Sequence, residues 1–327
     1  MRVAFTSCAS TNLVPKQPIW DDILASQPDK LVLLGDNFYN DVPDFGMTQL
    51  QGMGTWEFAE HMFIRYRQQL GQPRFRNLVA APGIEIHAIW DDHDFAWNDA
   101  NGARMLAHPK QVEKVKISTS FMRAFRKALA AKDLNTFPSS PGDAAFWTDF
   151  MAPVFTPLGA YTIPLEANNR SWLHLTDGRS LRKKPEILGP AQRAQLEQAF
   201  GAHPDALHIL ASGVTFSQQD GWHKYPTDRN WLAQAAGEHA WLMLSGDIHS
   251  NCLLHHRLSS KGRLVEATAS GAAIFAYLNT FIKGPEVRNY GLLEIEPDHL
   301  LIRLLAFNKV VTEARYERTT GGDLVVD

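Results

Sequence analysis

The sequence predicts an α/β fold, because short apolar segments alternate with longer segments of helical periodicity. Residues 30–34 and 207–211 are almost wholly apolar and typical of central parallel strands. Residues 55–70 and 111–131 repeat apolar side chains at helical spacing. Hydrophobic residues make up 45% of the chain and charged residues 20%, which is typical of a protein with a large core.

Taken in order, the pattern predicts strands at residues 2–6, 30–34, 84–90, 171–176, 207–211, 241–244, 264–267, 290–295 and 300–306. It predicts helices at residues 18–26, 55–70, 111–131, 190–200 and 227–236. The third helix is rich in lysine and arginine, which we expect to form a solvated face. Residues 135–142, NTFPSSPG, predict a loop. Because strands resume after this loop, we predict a single catalytic domain over residues 1–327.

Composition excludes several classes of protein. Net charge is −3, so the chain shows no basic face for nucleic acid. No apolar run approaches the ~20 residues that cross a bilayer. The first ten residues lack the apolar segment of a signal peptide. Cys8 and Cys252 cannot form a disulfide framework. These features predict a cytoplasmic protein with reduced thiols and no membrane partner.

Reactive side chains follow the predicted strands, at the point where each strand ends. Ligands of open α/β sheets bind outside the carboxyl ends of the strands, so we expect these side chains to meet there. In AIWDDHDFAWND, residues 88–99, like charges lie so close that they need a cation, strong donors or water nearby. The side chains that follow strands are Cys8, Asp36, Tyr39, Asp92, His93, Asp177, Arg179, Asp247 and His249. Of these, a mixed oxygen and nitrogen site able to hold two cations ~3.5–4 Å apart, which suits in-line attack on phosphorus, would consist of Asp36, Asp92, Asp247 and His249, with Cys8 or Tyr39.

Each of these features also has a purely structural explanation. Cys8 alone is more often a small buried thiol, and Tyr39 alone is more often packing. Arg179 is either a salt-bridge partner for an acid such as Asp177 or a phosphate clamp. It is the joint placement after strands that favours a functional site. Tryptophans expected in the core rather than in a substrate platform are Trp97, Trp222 and Trp231.

Three motifs resemble, in the same order, those of the alkaline phosphatase D (PhoD-like) branch of the calcineurin-like metallophosphoesterases. They are GDNFY at 35–39, WDDHDFAWND at 90–99 and LSGDIHSN at 244–251. Weaker similarities, such as LTDGRSLR at 175–182, extend the resemblance over most of the chain. The resemblance implies an αββα sandwich of two mixed β-sheets flanked by helices, with the site at strand ends. It also implies metal-dependent hydrolysis of phosphomonoesters, phosphodiesters or both, with metal-bound hydroxide as the nucleophile.

The resemblance further implies which residues bind the metals. Asp36 matches the carboxylate that bridges both ions. Cys8 and Tyr39 match ligands of the more tightly held ion, often ferric iron, and Asp92 matches a ligand of the second ion. Thiolate and phenolate favour iron at one position, whereas carboxylates at the other suit calcium, manganese or zinc. The remaining implied ligands are Asp247 and His249, one to each metal, and Asn98, a further ligand or a phosphate contact.

Catalytic roles follow from the same resemblance. His93 matches the histidine that contacts phosphate or protonates the leaving group, and Arg179 is expected to stabilise charge on the phosphoryl oxygens. The first strand starts at residue 2, so we expect an intracellular relative with the catalytic domain alone. Little chain follows residue 306, which leaves open whether the calcium of the family is retained.

The substrate, a small or polymeric phosphoester, is not named by the sequence. The loops expected to choose it lie at residues 47–54, 100–109, 135–169 and 218–225. Two alternatives remain. One is a metal-free hydrolase with paired carboxylates, and the other is a non-catalytic, ligand-binding relative on the same scaffold.

Overall fold

The computed structural model describes residues 1–42, 47–143, 151–152, 154–279, 282–319 and 323–326. Part of one predicted substrate loop, residues 144–150 and 153, lies outside these ranges. Within them, none of the helices combines the length and the apolar character needed to cross a bilayer.

The strands are β1 (Arg2–Ala9), β2 (Lys30–Leu34), β3 (Glu85–Ile89), β4 (Tyr161–Pro164), β5 (Ser171–Leu175), β6 (Leu207–Ala211), β7 (Ala240–Ser245), β8 (Asn251–Arg257), β9 (Arg263–Asn279), β10 (Ile282–Val287), β11 (Asn289–Ile295), β12 (His299–Ala306) and β13 (Lys309–Glu317). The α-helices are Ile19–Ala25, Met47–Gly52, Thr55–Gly71, Pro73–Ala80, Asp92–Phe95, Gly102–Leu106, Val112–Ala130, Pro190–Ala202 and Pro226–Ala236. Short 3₁₀ turns occupy Leu134–Thr136 and Trp222–Lys224.

The strands form two mixed sheets. The first has the order β13-β12-β11-β1-β2-β3, with β1, β2 and β3 parallel. The second has the order β4-β5-β6-β7-β9-β8, with β5, β6, β7 and β9 parallel. Near its carboxyl end β1 also pairs with β9, at Ser7↔Ser270 and Ala9↔Ala273, so the two sheets meet there. The far part of β9 pairs with β10.

The two sheets pack face to face, and helices cover both outer faces. Alternation along β1 and β2 sends Phe5 and Val32 towards the second sheet, where they meet Ile209 and Leu242. The opposite face of the first sheet packs against the helices Thr55–Gly71 and Val112–Ala130. The second sheet packs its outer face against Pro190–Ala202 and Pro226–Ala236. The predicted αββα sandwich is therefore confirmed. The expectation that Trp97, Trp222 and Trp231 lie in the core is confirmed as well.

Several strands differ from the prediction. β4, β8, β10 and β13 were not predicted, and β9 runs well beyond residue 267. The extra length of β9 contains small residues, which give a weak strand pattern in the sequence but allow neighbouring strands to approach closely. A Cβ on Gly271, for example, would lie 2.6 Å from Cγ2 of Val287. β13 lies at a sheet edge and exposes most of its residues, so its apolar pattern is diluted.

The basic helix is only partly solvated. Lys114 of Val112–Ala130 is 1% exposed, and its Nζ donates to the carbonyls of Leu50 (2.7 Å) and Gln51 (2.8 Å). Those carbonyls lie near the end of Met47–Gly52, where helical acceptors lack partners within the helix. The expected solvated face is therefore wrong at Lys114, whose charge the neighbouring helix end accommodates.

Candidate metal centre

The backbone at the strand ends is held in an unusual conformation. Cys8 (φ 63°), Asp36 (φ 49°), Asp247 (φ 78°) and His249 (φ 52°) all occupy the left-handed region. Non-glycine residues rarely adopt it, and such strain, about 1–3 kcal/mol each, clusters at functional sites. Four predicted ligands therefore lie on backbone that the surrounding sheets must hold in place.

Glycines allow these strand ends to approach one another. A Cβ on Gly35, whose φ is 96°, would lie 2.7 Å from the backbone nitrogen of Asp91. On Gly213 it would lie 2.7 Å from Oδ1 of Asp91, and on Gly246 2.6 Å from Oγ of Ser7. Side chains at these positions would push the turns apart, so the close assembly of acids depends on glycine.

Asp36 is the residue around which the predicted ligands gather. Its Oδ2 lies 3.5 Å from Sγ of Cys8 and 3.4 Å from the hydroxyl of Tyr39. The same hydroxyl lies 2.8 Å from Nε2 of His249. Ser270 supports this side, because its Oγ lies 3.3 Å from Sγ of Cys8 and accepts from the backbone nitrogen of His249 at 2.9 Å. Thiol, phenol, carboxyl and imidazole thus converge from β1, β2 and β7.

Two sets of potential ligand atoms share Asp36. One set joins Asp36 with Asp92 and His93, and the other joins it with Asp91 and Asp247. Within each set the ligand atoms lie within 4.8 Å of one another. Among the described residues, Oδ2 of Asp91 and Oδ1 of Asp92 are buried without a hydrogen-bond donor. Such atoms are costly unless something satisfies them, and a cation does so. These residues therefore fit metal ions.

Electrostatics also favours a cation here. Burial raises the pKa of Asp36 and of Asp247 well above the usual range. Burial likewise raises the pKa of Asp91 to about 6 although Arg179 opposes it. At Asp92 the balance is reversed, because Arg179 and His93 outweigh burial and lower the pKa to about 2. A bound cation would offset the burial of Asp36 and Asp247 and favour their charged carboxylates.

Without a nearby cation, burial keeps Cys8 and Tyr39 protonated. Burial raises the pKa of the Cys8 thiol to about 11. Burial, followed by the nearby Cys8 and Asp36, raises the pKa of Tyr39 as well. A thiol or phenol binds a metal as its anion, so binding at these positions releases protons.

Arg179 is buried against the acids of the centre. It is 2% exposed, and its Nε and Nη2 both lie 2.6 Å from Oδ1 of Asp91, with Asp92 3.6 Å from Nη2. The alternative that Arg179 pairs with Asp177 is wrong for its side chain. Asp177 instead accepts from the backbone nitrogens of Arg179 (3.2 Å) and Ser180 (3.0 Å), and so shapes the turn.

His93 is held by a carboxylate that the sequence did not single out. Its Nδ1 lies 2.6 Å from Oδ1 of Asp41, and its backbone nitrogen donates to Oδ1 of Asp36 at 3.3 Å. Burial opposes the charged imidazole, but Asp92, Asp41 and Asp36 outweigh it and raise the pKa of His93 well above its usual value. The carboxylates around His93 thus favour its protonated imidazole, whose Nδ1 lies against Asp41.

Asn98 borders the cluster. Its backbone nitrogen donates to Oδ2 of Asp41 (2.8 Å), and its side chain donates to Oδ2 of Asp99 (2.9 Å). The neighbour Asp99 reaches Asp92 instead, through its backbone nitrogen at 2.5 Å from Oδ2. A ligand role for Asn98 stays a prediction.

Three residues of the centre were missed by sequence reasoning. Asp91 lies inside the recognised motif WDDHDFAWND, whereas Asp41 lies two residues beyond the motif GDNFY. Ser270 lies in β9 in no recognised motif, and nothing in the sequence pairs it with Cys8.

Comparisons with known proteins bear on the fold. No protein-family model matches the sequence, and no curated protein matches it. The solved structure of PhoD superposes with a TM-score of 0.65 at 15% identity, covering 100% of this chain and 71% of that chain.

More distant solved structures are Vps29 complexed with Zn²⁺ from Entamoeba histolytica and a conserved uncharacterized protein, a predicted phosphoesterase, from Streptococcus pneumoniae TIGR4. The Vps29 structure has a TM-score of 0.35 at 11% identity and covers 97% of this chain and 99% of that one. The streptococcal protein has a TM-score of 0.33 at 10% identity, with 97% of each chain covered. The superposition on PhoD confirms the resemblance to the PhoD-like metallophosphoesterases at the level of the fold: this chain folds as PhoD does.

Proposed function

We propose that this protein hydrolyses phosphoesters at a centre of two metal ions. The main support is the position of Asp36, which belongs to both sets of potential ligand atoms. A carboxylate placed between two ions is what a two-metal hydrolase requires. The fold of PhoD and the unsatisfied oxygens of Asp91 and Asp92 agree with this proposal.

Asp36 would bind both ions. Cys8 and Tyr39 would hold one of them, for which iron suits thiolate and phenolate, and Asp92 would hold the other, for which manganese, zinc or calcium suits carboxylate. Asp247 and His249 would complete the set, one to each ion. Bound there, the ions would lower the pKa of a water and neutralise charge on the phosphoryl oxygens.

The protein's own groups would then position and protonate the substrate. His93 is 12% exposed in its side chain, and with Nδ1 committed to Asp41 its Nε2 is left to carry a proton outwards. We propose that this proton goes to the leaving alkoxide. We further propose that Arg179 acts by holding Asp91 and Asp92 in place, because its guanidinium is buried against them.

The proposal is tested with p-nitrophenyl phosphate and bis-p-nitrophenyl phosphate. Hydrolysis is measured on protein as purified, after chelation, and after adding back iron, manganese, calcium or zinc, with metal content measured in parallel. We expect activity that disappears with chelator and returns with particular ions, and the ratio of the two substrates separates monoesterase from diesterase. Activity that resists chelation would favour a metal-free hydrolase with paired carboxylates.

Asp36→Asn tests the shared ligand directly. We expect it to abolish turnover and metal uptake together, whereas the matched control Asp205→Asn, in an exposed turn, changes neither. Normal metal content and activity in Asp36→Asn would contradict the bridging role. A chain that binds no metal and cleaves neither ester would instead be a non-catalytic, ligand-binding relative.

A further inference from the structure

A polar cavity of about 450 Å³ adjoins the candidate metal centre. Asp99 lies between the two. It lines the cavity, and its backbone nitrogen donates to Oδ2 of Asp92 at 2.5 Å. The cavity lies within two of the loops expected to choose the substrate, residues 47–54 and 100–109. The lining residues on which the inference depends are Gln51, Asn98, Asp99, Arg104, His108 and Gln111.

Two cationic or potentially cationic side chains of this cavity are uncommitted. Arg104 and His108 lie four residues apart where the helix Gly102–Leu106 ends, and both line the cavity. Within the ranges that the structure describes, neither side chain has a hydrogen-bond or ion-pair partner. Both residues are exposed, so their side chains are accessible from the cavity. Arg104 and His108 are therefore free to bind a ligand.

The chemistry of the lining selects among ligands. The planar guanidinium of Arg104 matches a carboxylate or phosphate with two parallel hydrogen bonds, and a ring N–H of His108 adds a further donor. Asp99 lies at the side of the cavity near the metal centre, and its carboxylate accepts a hydrogen bond from Asn98. This carboxylate would repel an anion, but it would accept a hydrogen bond from a hydroxyl group. The side-chain amides of Gln51 and Gln111 also suit hydroxyl groups.

We propose that this cavity binds a second anionic group of the substrate, whose phosphoester enters the metal centre. The substrate class is a hydroxylated phosphoester with a carboxylate or a further phosphate at its other end. This inference rests on the proposed function, since it places the phosphoester in the metal centre. It assigns Arg104 and His108 as specificity-determining residues, which neither the motifs nor the ligand sets include.

The test compares two substrates that differ in one end group. 3-Phosphoglycerate and glycerol 3-phosphate share a phosphoester and a neighbouring hydroxyl, but only the first has a carboxylate. With the metal-loaded protein, we measure kcat/KM from released phosphate. We expect a preference for 3-phosphoglycerate that Arg104→Gln reduces about tenfold, the size expected of one charge-assisted hydrogen bond. Arg104 is exposed, so the variant should fold, which thermal unfolding checks.

A matched control is Arg76→Gln, an exposed arginine on Pro73–Ala80 that does not line the cavity. It should leave the ratio of the two substrates unchanged. Equal losses for both substrates in Arg104→Gln, or the absence of any preference in the unmodified protein, would overturn the inference.

Failure of the proposed function gives a different result. In that case p-nitrophenyl phosphate is not hydrolysed either, and calorimetric titration with 3-phosphoglycerate still tests the cavity. Binding that weakens in Arg104→Gln and persists in Arg76→Gln supports an anion site without catalysis. Absence of binding, or equal binding in all three proteins, overturns it.

Discussion

Removing Arg179 should be the most damaging single change to the stability of the candidate metal centre. Arg179→Met keeps much of the length of the side chain but removes the charge. It deletes the contacts from Nε and Nη2 to Oδ1 of Asp91, both 2.6 Å, and the bond from Nη1 to the carbonyl of Ala100 at 3.3 Å. Both partners of the ion pair are about 2–3% exposed in their side chains. Breaking such a buried pair leaves an uncompensated charge and costs about 3–5 kcal/mol.

The free energy of unfolding is measured by urea titration of metal-free protein. The free energy of unfolding of a folded chain is typically only about 5–15 kcal/mol, so this loss should shift the urea midpoint strongly. Adding Asp91→Asn to Arg179→Met should recover part of the lost free energy of unfolding, because the unpaired carboxylate of Asp91 is then removed. Arg104→Met, at an exposed arginine, should cost less than about 0.5 kcal/mol. A loss below about 1 kcal/mol for Arg179→Met would refute the reasoning.

Three further predictions concern other parts of the chain. Gly213→Ala should cost about 1–3 kcal/mol and weaken cation binding about tenfold or more, because the new Cβ would lie 2.7 Å from a carboxylate oxygen of the centre. Burial lowers the pKa of His208 to about 4. Unfolded histidine titrates near pH 6.5, so the unfolded state binds the extra proton, and His208 should lower stability by about 3 kcal/mol as pH drops from 7 to 4. His208→Gln should remove this contribution, while that of the buried His174 beside it remains. Asp41→Asn should lower the pKa of His93 and move the alkaline limb of the kcat profile to lower pH, because a protonated acid is then lost earlier.

Each of these has a contrasting control. Gly178→Ala should be nearly neutral, since its Cβ would meet Ile187 at 3.6 Å, an ordinary contact. If the two glycine variants behave alike, the close approach is not what matters. His203→Gln should keep the pH dependence that His208→Gln removes. An unchanged alkaline limb in Asp41→Asn would show that His93 is not the acid.

Short-range patterns were enough to predict most of the fold and the place of the site. β2 and β6 have the predicted bounds, because both are buried on two faces and leave an uninterrupted apolar run. The meeting of Cys8, Asp36 and His249 followed from their positions after strands. Strands such as β13, exposed at an edge, leave no such run.

Partners that lie far apart in the sequence could not be predicted. Arg179 and Asp91 are 88 residues apart, and His93 and Asp41 are 52 apart, and only the packing of different turns brings each pair together. One of the two alternatives for Arg179, a salt bridge to an acid, matches its contact with Asp91, but the acid named as an example was Asp177, which is near it in the sequence. The single-domain organisation and the cytoplasmic location stay predictions.

The junction of β1 with β9 gives metal binding a mechanical consequence. Strand pairing between the two sheets occurs near Ser7–Ala9 among the described strands, and the potential ligands come from both sheets. An ion held by Asp36 and Asp247 would therefore cross-link the two halves of the sandwich. At a hundredfold excess over its dissociation constant, it would add about 2.7 kcal/mol to the free energy of unfolding. Amide hydrogen exchange at the carboxyl end of β1 should then slow as the ion is added. The exchange rate where the two sheets meet would therefore measure metal occupancy.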